Sequence, residues 1–145
     1  MAVTAKVYGL AQQSLANKEI DWDSDAIKVM LCTSTYVPDQ DAHRYKSSVT
    51  NEVAGTGYTA GGATLTSCVA TYTAATNTLM LDAADVSWAT STITARYAVV
   101  YDSTPGTDAT RPLICYVDFG ADVVSSGGTF SIVWDAAGIV TLTAA

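Results

Sequence analysis

The sequence predicts a mainly β protein, a single-domain antiparallel β-sandwich or barrel with one N-terminal α-helix. The last third of the chain is a series of short runs rich in Tyr, Val, Ile and Thr, separated by Gly, Pro and Asp turns. Helical periodicity is convincing only near the N-terminus. A length of 145 residues suits one domain, and no repeat or low-complexity linker divides it. We therefore treat 1–145 as one unit.

The first eighteen residues predict the helix. Thr4 is a candidate N-cap, and the end is expected at Asn17 and Lys18. Gly9 would fall inside this helix, at a cost of about 1 kcal/mol relative to Ala. The apolar positions at helical spacing are Val7, Leu10, Ala11 and Leu15. Two targets for this stripe stay open, the protein's own sheet and a neighbouring subunit, and we interpret 1–22 as a helical attachment or contact segment.

Strand predictions follow in chain order. A first strand, 27–36, is apolar on both faces and should be central. Residues 38–52 are polar and irregular, with one helical turn over 41–46, and 55–62 form a Gly-rich loop. Runs 63–72 and 78–81 predict a hairpin, 83–88 fit either a helical turn or a strand, and the remaining strands are 93–101, 113–119, 130–134 and 139–143. The last two are expected to pair through a turn in which Gly138 takes a positive φ.

Composition excludes several classes of function. The net charge is −7 and only 14% of residues are charged, without the Lys/Arg stripe that nucleic acid requires, so we expect no nucleic-acid partner. An acidic surface favours a neutral or basic protein partner. No apolar window or export signal indicates a membrane span or secretion. Three widely spaced cysteines predict buried free thiols made in a reducing compartment.

The acidic turn before the first strand resembles half of a calcium loop. Asp21, Asp23 and Asp25 match its first three ligand positions. Ala26 stands where the loop needs Gly, and Cys32 stands where it needs a bidentate Glu. A looser calcium site and a solvated acidic turn both stay open, and we predict no metal.

Other catalytic and cofactor motifs are incomplete. Residues 55–60 fit a dinucleotide fingerprint, but the following Gly61 and Gly62 would break the helix that this motif needs. His43 is the only histidine, and Asp39 or Asp41 with Ser47 could complete a triad only if the fold assembled them. No nucleophile elbow is present, and paired zinc-ligand spacing is missing. The sequence therefore predicts no enzyme and no cofactor.

The aromatic residues leave one binding alternative. Trp22, Trp88 and Trp134, together with eight tyrosines, could build a sugar-stacking platform. Tyrosines inside strands, such as Tyr97 and Tyr101, are instead expected in or beside the core. Carbohydrate binding thus depends mainly on fold analogy.

Several stretches resemble a family of small structural proteins of tailed bacteriophages: 9–13 (GLAQQ), 17–22 (NKEIDW), 28–33 (KVMLCT), 57–62 (GYTAGG), 97–101 (YAVVY) and 134–139 (WDAAGI). The resemblance covers nearly the whole chain. It implies a virion protein, assembled in the bacterial cytoplasm, that decorates the head in many copies through the major capsid protein or other virion proteins. A homo-oligomer such as a trimer would suit that role. The alternative is a tail or fibre-associated protein that binds a receptor or glycan.

We predict that partner contacts come from the first sixty residues. The segment 2–22 contains the features that a sandwich core should need least, so deleting residues 1–18 is expected to leave a folded domain that no longer joins virions. The loop 38–62 is a second candidate because its low hydrophobicity makes it adaptable. The predicted contact residues are Val7, Leu10, Leu15, Trp22, His43, Tyr45 and Tyr58.

Overall fold

Two long neighbouring strands organise the fold in a computed structural model that describes residues 2–145. The elements are β1 (Thr4–Val7), α1 (Gly9–Ala16), β2 (Ile27–Cys32), a 3-10 turn (Lys46–Ser48), β3 (Ala63–Thr64), β4 (Val69–Thr73), β5 (Thr78–Asp82), β6 (Val86–Asp102), β7 (Leu113–Ile132) and β8 (Val140–Thr143). One sheet has the order β1-β7-β6-β2-β3 and the other the order β4-β5-β8, with every pair antiparallel. The predicted β-sandwich class is confirmed.

The centre of the larger sheet, around β2, is buried on both faces. One face shares the main core with the smaller sheet, where Val29, Ile93 and Phe130 are buried. The opposite face carries a second apolar cluster that includes Tyr8 of the β1–α1 junction and Met30. Because alternate residues of β2 enter different clusters, its run of buried residues has the two-sided pattern of a central strand, as the sequence predicts.

The N-terminal helix is shorter than predicted. Residues 4–7 form strand β1 and pair with β7 from Thr4 opposite Asp118 to Val7 opposite Cys115, so Thr4 is not a helix cap. The helix starts at Gly9, after Tyr8 as the capping residue. Gly9 therefore stands at the first helical position, where the cost of an interior glycine does not apply. Four residues are too few to distinguish the alternating pattern of a strand from the periodicity of a helix.

The runs 113–119 and 130–134 belong largely to one strand. β7 continues from Leu113 to Ile132 through serines and glycines, because β6 pairs with it on both sides of an unpaired stretch at 119–122. Register shifts interrupt the hydrogen-bond ladder between β6 and β7. At one of these shifts, two buried hydroxyls supply hydrogen bonds. The Ser91 and Ser125 hydroxyls are hydrogen bonded at 2.8 Å, and Ser125 Oγ accepts the Ile93 N–H at 3.1 Å. A hydroxyl thus supplies the bond that the irregular backbone cannot.

The predicted pairing of the last two runs is wrong. The turn itself forms, with the Gly138 N–H donating to the Asp135 carbonyl at 2.8 Å and Gly138 at φ 98°. The strand that follows nevertheless pairs with β5, from Val140 opposite Leu81 to Thr143 opposite Thr78. The turn therefore carries the chain from one sheet to the other, which moves Val140 into the shared core.

Other boundaries differ locally. The β4–β5 hairpin is confirmed, with Asn77 at φ 52° in its turn. Its predicted first strand divides into β3 and β4, and the ambiguous stretch 83–88 becomes strand from Val86. The chain leaves β2 after Cys32, although Tyr36 stays buried. The helical turn predicted over 41–46 is replaced by the 3-10 turn that starts at Lys46.

Candidate contact surface

Three of the four apolar residues predicted as N-terminal contacts, Val7, Leu15 and Trp22, pack in or against the protein's own core. Val7 and Leu15 are half-buried against it, and Leu10 is also half-buried. Trp22 is only 4% exposed, and its indole N–H donates to the Asp82 carbonyl at 3.0 Å. The expectation that the core needs this segment least is therefore wrong. Within this segment, β1 and α1 contact the larger sheet, and Trp22 is hydrogen bonded to the smaller sheet.

His43 ends a hydrogen-bonded row of aromatic side chains. The Tyr8 and Tyr36 hydroxyls are 2.9 Å apart, and Tyr36 Oη lies 3.0 Å from His43 Nδ1. The Asp39 N–H also donates to Nδ1, at 3.3 Å. The Asp39 carboxylate instead accepts the N–H groups of Asp41 and Ala42. His43 is thus oriented by a phenol and a backbone amide, and not by the carboxylate that a triad would need.

Tyr45 lies beside the helix end. Its hydroxyl donates to Glu19 at 3.4 Å, and Arg44 forms an ion pair with the same carboxylate at 3.0 Å. Tyr45 is half-buried and also lines a cavity of about 510 Å³ with Lys18 and Thr104. These contacts fasten the loop 38–62 to the segment after α1, so Tyr45 acts within the fold as well as lining this cavity.

Tyr58 is held by the backbone of β2. Its hydroxyl accepts the Leu31 N–H at 3.0 Å and donates to the Glu52 carboxylate at 2.7 Å. The same carboxylate accepts the Gly61 N–H at 2.6 Å. A Cβ on Gly62 would lie 1.9 Å from the Val29 carbonyl oxygen. The glycines of this loop therefore permit close packing on β2, and the Gly61 amide is already bonded within the protein, unlike the open amides of a phosphate-binding loop.

The thiols and acidic side chains form no metal cluster in the part of the chain that the structure describes. In the acidic turn, Asp25 Oδ2 accepts the Asp21 N–H at 2.8 Å. All three cysteines are free, with Cys32 and Cys115 buried and Cys68 half-buried. Burial raises the pKa of both Cys32 and Cys115 to about 12. These two thiols are protonated at neutral pH, so they are poor nucleophiles and poor metal ligands.

A polar cavity that sequence reasoning missed lies between β2, β6 and the loop after β6. It has a volume of about 360 Å³ and is lined in part by Lys28, Lys46, Tyr101, Asp108 and Arg111. Asp108 pairs with both Lys46 and Arg111 at 2.8 Å, so much of its charge is neutralised internally. The hydrogen bond from Lys46 is the main reason that the pKa of Asp108 is lowered. Because the residues that line this cavity come from segments far apart in the sequence, no local motif predicts the cavity.

The most apolar opening lies between the two sheets. β1 covers β7 only up to Asp118, and β8 pairs only with β5, which leaves a gap between the sheet edges. A groove of about 470 Å³ occupies it, and Val3 and Val133 at its border are 63% and 75% exposed. Its lining residues are Val3, Ala5, Val117, Phe119, Ser131, Ile132, Val133, Trp134, Asp135, Gly138 and Ile139. We call this the open groove, and the sequence prediction missed it because 133–134 were assigned to a strand.

Comparison of the chain with protein-family models, curated proteins and solved structures gives no match. No helix among residues 2–145 is long and apolar enough to cross a membrane. A function must therefore be argued from the described surfaces together with the sequence stretches given above.

Proposed function

We propose that this protein is a non-enzymatic structural protein of a tailed-bacteriophage virion that decorates the assembled head in many copies. The observation that carries the proposal is the open groove, an apolar opening bordered by the exposed Val3 and Val133. The sequence resemblance supports the virion as the setting. The partner is the major capsid protein or another head protein that presents an apolar side chain or loop to the groove.

The energetics of the groove suit a protein present in many copies. Covering an exposed valine contributes about 1.5 to 3 kcal/mol when its burial is complete. One such contact gives weak attachment, but copies linked through a lattice bind much more tightly because each further contact is effectively intramolecular. Among the residues that line the groove, Asp135 is the charged one, so an apolar partner loses little hydration of charge on docking.

Two matched variants test this role. In Val133→Asp the groove gains a charge, whereas Val37→Asp adds the same charge at a residue that is 74% exposed and outside the groove. Phage carrying Val133→Asp should incorporate the protein at least ten times less, and Val37→Asp should incorporate it normally, as measured on purified particles. Equal incorporation of both variants would reject the groove as the attachment site.

Location on the particle separates the two virion roles. Cryo-electron microscopy of intact phage should show the domain at regular positions on the head and nothing there when its gene is deleted. The alternative, a tail or fibre protein that binds a receptor or glycan, is favoured by Tyr72, an aromatic residue of β4 that is 57% exposed. Density confined to the tail, together with binding of the purified protein to host cells, would establish that alternative.

A further inference from the structure

The polar cavity beside β2 concentrates positive charge. Its volume is about 360 Å³, and its lining includes three of the seven Lys and Arg residues of the chain, Lys28, Lys46 and Arg111. The carboxylates in the lining are Glu52 and Asp108. Three cations therefore face two carboxylates, in a chain that has fourteen acidic side chains and a net charge of −7. The cavity is a local positive site on an acidic protein.

Tyr101 lies between the two lysines of the polar cavity. Lys28 of β2 is directly opposite Tyr101 of β6, and opposed residues of an antiparallel pair lie on the same face of the sheet. The Lys46 ammonium lies 5.7 Å from the centre of the Tyr101 ring. The Tyr101 hydroxyl donates to the Gly61 carbonyl at 2.7 Å. Both lysines are therefore placed beside one ring that is itself held by a hydrogen bond.

Hydrogen bonds also fix the wall that carries the other charges. The Lys46 N–H donates to the Arg111 carbonyl at 2.8 Å, and the Ser47 N–H donates to the Asp108 carbonyl at 2.9 Å. The 3-10 turn and the loop after β6 are thus joined through their backbones. Asp108 Oδ2 accepts from Lys46, and its Oδ1 accepts from Arg111, each at 2.8 Å. These cations are positioned before a ligand arrives, which lowers the entropic cost of binding.

The contacts within the wall leave donors without acceptors. One carboxylate, that of Asp108, pairs with two cations. Lys28 forms no ion pair among residues 2–145. Arg111 donates through Nε to the Pro105 carbonyl and through Nη1 to Asp108, which leaves Nη2 for a ligand. A molecule that fits the cavity must therefore accept hydrogen bonds and carry negative charge.

We propose that the polar cavity binds one carboxylate group between the Lys28 ammonium and the Arg111 guanidinium. A single carboxylate cancels the one positive charge by which cations exceed carboxylates in the lining. Hydrogen bonds from ammonium and guanidinium groups to carboxylates are among the strong ones in proteins. A doubly charged phosphate would instead reverse the charge of the cavity and lie near Glu52 and Asp108. The carboxylate belongs to a small organic acid or to an acidic side chain of another protein.

A second cavity provides the contrast within the same molecule. The cavity beside Tyr45 is lined by Lys18 together with Glu19 and Asp25, so carboxylates outnumber the cation there. It should not bind a further carboxylate. The carboxylate site does not depend on the virion role, because no residue lines both the polar cavity and the open groove.

Small probes test the chemistry of the site. N-acetyl-aspartate N-methylamide carries a side-chain carboxylate, and the corresponding asparagine compound has the same shape without the charge. In NMR titrations the aspartate probe should shift the side-chain resonances of Lys28 and Arg111 saturably, and the asparagine probe should not. Tighter binding of inorganic phosphate than of the aspartate probe, or no saturable shift, would overturn the proposal. Acetate separates the two sources: affinity equal to that of the aspartate probe assigns the site to free organic acids, and weaker affinity assigns it to an acidic side chain.

Lysine variants locate the site. Lys28→Gln should raise the dissociation constant of the aspartate probe about fivefold or more, because one charge-assisted hydrogen bond is lost. Lys28→Arg keeps the charge and should restore binding. Lys18→Gln is the matched control, since Lys18 lines the other cavity, and its affinity should equal that of the wild type. An equal loss in Lys18→Gln, or none in Lys28→Gln, would overturn the proposal.

A substitution at the exposed border of the cavity gives a test that does not alter β2. Ala60 lines the polar cavity and is exposed, so Ala60→Asp supplies a carboxylate from within the chain. The aspartate probe should then bind about fivefold more weakly or worse, whereas Ala60→Asn should bind normally. Equal affinities of these two variants would overturn the proposal. If the probe binds as expected while Val133→Asp still joins particles, only the proposed function fails.

Discussion

The indole N–H of Trp22 donates to the backbone carbonyl of Asp82 at 3.0 Å, across sixty residues of sequence. Trp22 precedes β2 of the larger sheet, and Asp82 ends β5 of the smaller one. The bond therefore joins the two layers of the sandwich at a position where the ring is 4% exposed. A residue that the sequence suggested for partner binding thus belongs to the contact between the sheets.

Trp22→Phe should lower the free energy of unfolding by about 1 to 3 kcal/mol, because the Asp82 carbonyl loses its donor while most ring packing is kept. Trp22→Ala should cost about 3 to 5 kcal/mol. Urea titrations followed by circular dichroism measure both. Trp134→Phe is the matched control, since its indole also donates to a carbonyl, that of Ala84 at 3.2 Å, but the side chain is less buried. A larger loss at Trp134 than at Trp22 would contradict this account.

Deleting residues 1–18 should prevent folding, contrary to the expectation from the sequence. The deletion removes β1, the helix and Tyr8, whose side chain is fully buried and hydrogen bonded to Tyr36. Loss of one large buried aromatic alone costs about 3 to 5 kcal/mol, which is comparable to the whole stability of a small domain. A variant lacking only the exposed Ala2 and Val3 should stay folded. Dispersed amide resonances from the longer deletion would show that this prediction is wrong.

Gly62→Ala should be strongly destabilising. Its Cβ would approach the Val29 carbonyl oxygen to 1.9 Å, and its φ of +78° is unfavourable for any side chain. Because β2 is buried and cannot move away, we expect a loss of more than about 3 kcal/mol, at the upper end of point-mutation effects. Gly106→Ala is the control, since nothing lies within 4 Å of its Cβ. Thermal unfolding should shift little for Gly106→Ala, and similar shifts for both variants would refute the packing argument.

Asp102 should make the protein less stable as pH rises toward neutrality. Burial, and then the neighbouring Asp25 carboxyl, raise the pKa of Asp102 to about 6. The folded state therefore holds this proton more tightly than the unfolded chain, so its stabilising effect is complete below pH 4 and is lost as pH rises to about 6. The full effect of a shift of about two pKa units is about 3 kcal/mol.

Asp102→Asn tests this titration. The amide oxygen can still accept the Thr104 N–H that Asp102 Oδ1 accepts at 2.8 Å, but the side chain no longer ionises. The unfolding free energy of the variant, relative to wild type, should rise between pH 4 and pH 7. Comparing the two proteins cancels the opposite contributions of Asp108 and Asp118, whose pKa values are lowered by ion pairs with Lys46 and Arg96. A constant difference across this range would contradict the raised pKa.

Cys68 should react first with a thiol reagent in the native state. It is half-buried, whereas Cys32 and Cys115 are buried in the sheet with their pKa values raised to about 12. One thiol should be modified in the folded protein and three in denaturant, with Cys68→Ser removing the fast phase. Rapid labelling of Cys115 without denaturant would show that the core opens more readily than the packing implies.

Local patterns predicted the parts of the fold whose partners are close in sequence. The β4–β5 hairpin is one example, because Asn77 and its neighbours form the turn and both strands lie within a few residues of it. The buried character of β2 is another, since Ile27 to Cys32 is apolar on both faces. The sequence predicted the wrong partner strand for β8. An apolar residue such as Val140 is equally compatible with a partner in β7 and with one in β5, so its residue type does not identify the strand that pairs with it.

The sequence alone determined the β class, the presence of one N-terminal helix, the free thiols and the incomplete state of every catalytic motif. Those features depend on composition and on local period and spacing. Only the tertiary structure decided that Trp22 faces inward, that the turn at Gly138 changes sheets, and that the open groove is left uncovered. Each of these depends on which distant segment packs beside a residue, and side-chain chemistry at one position does not specify that neighbour.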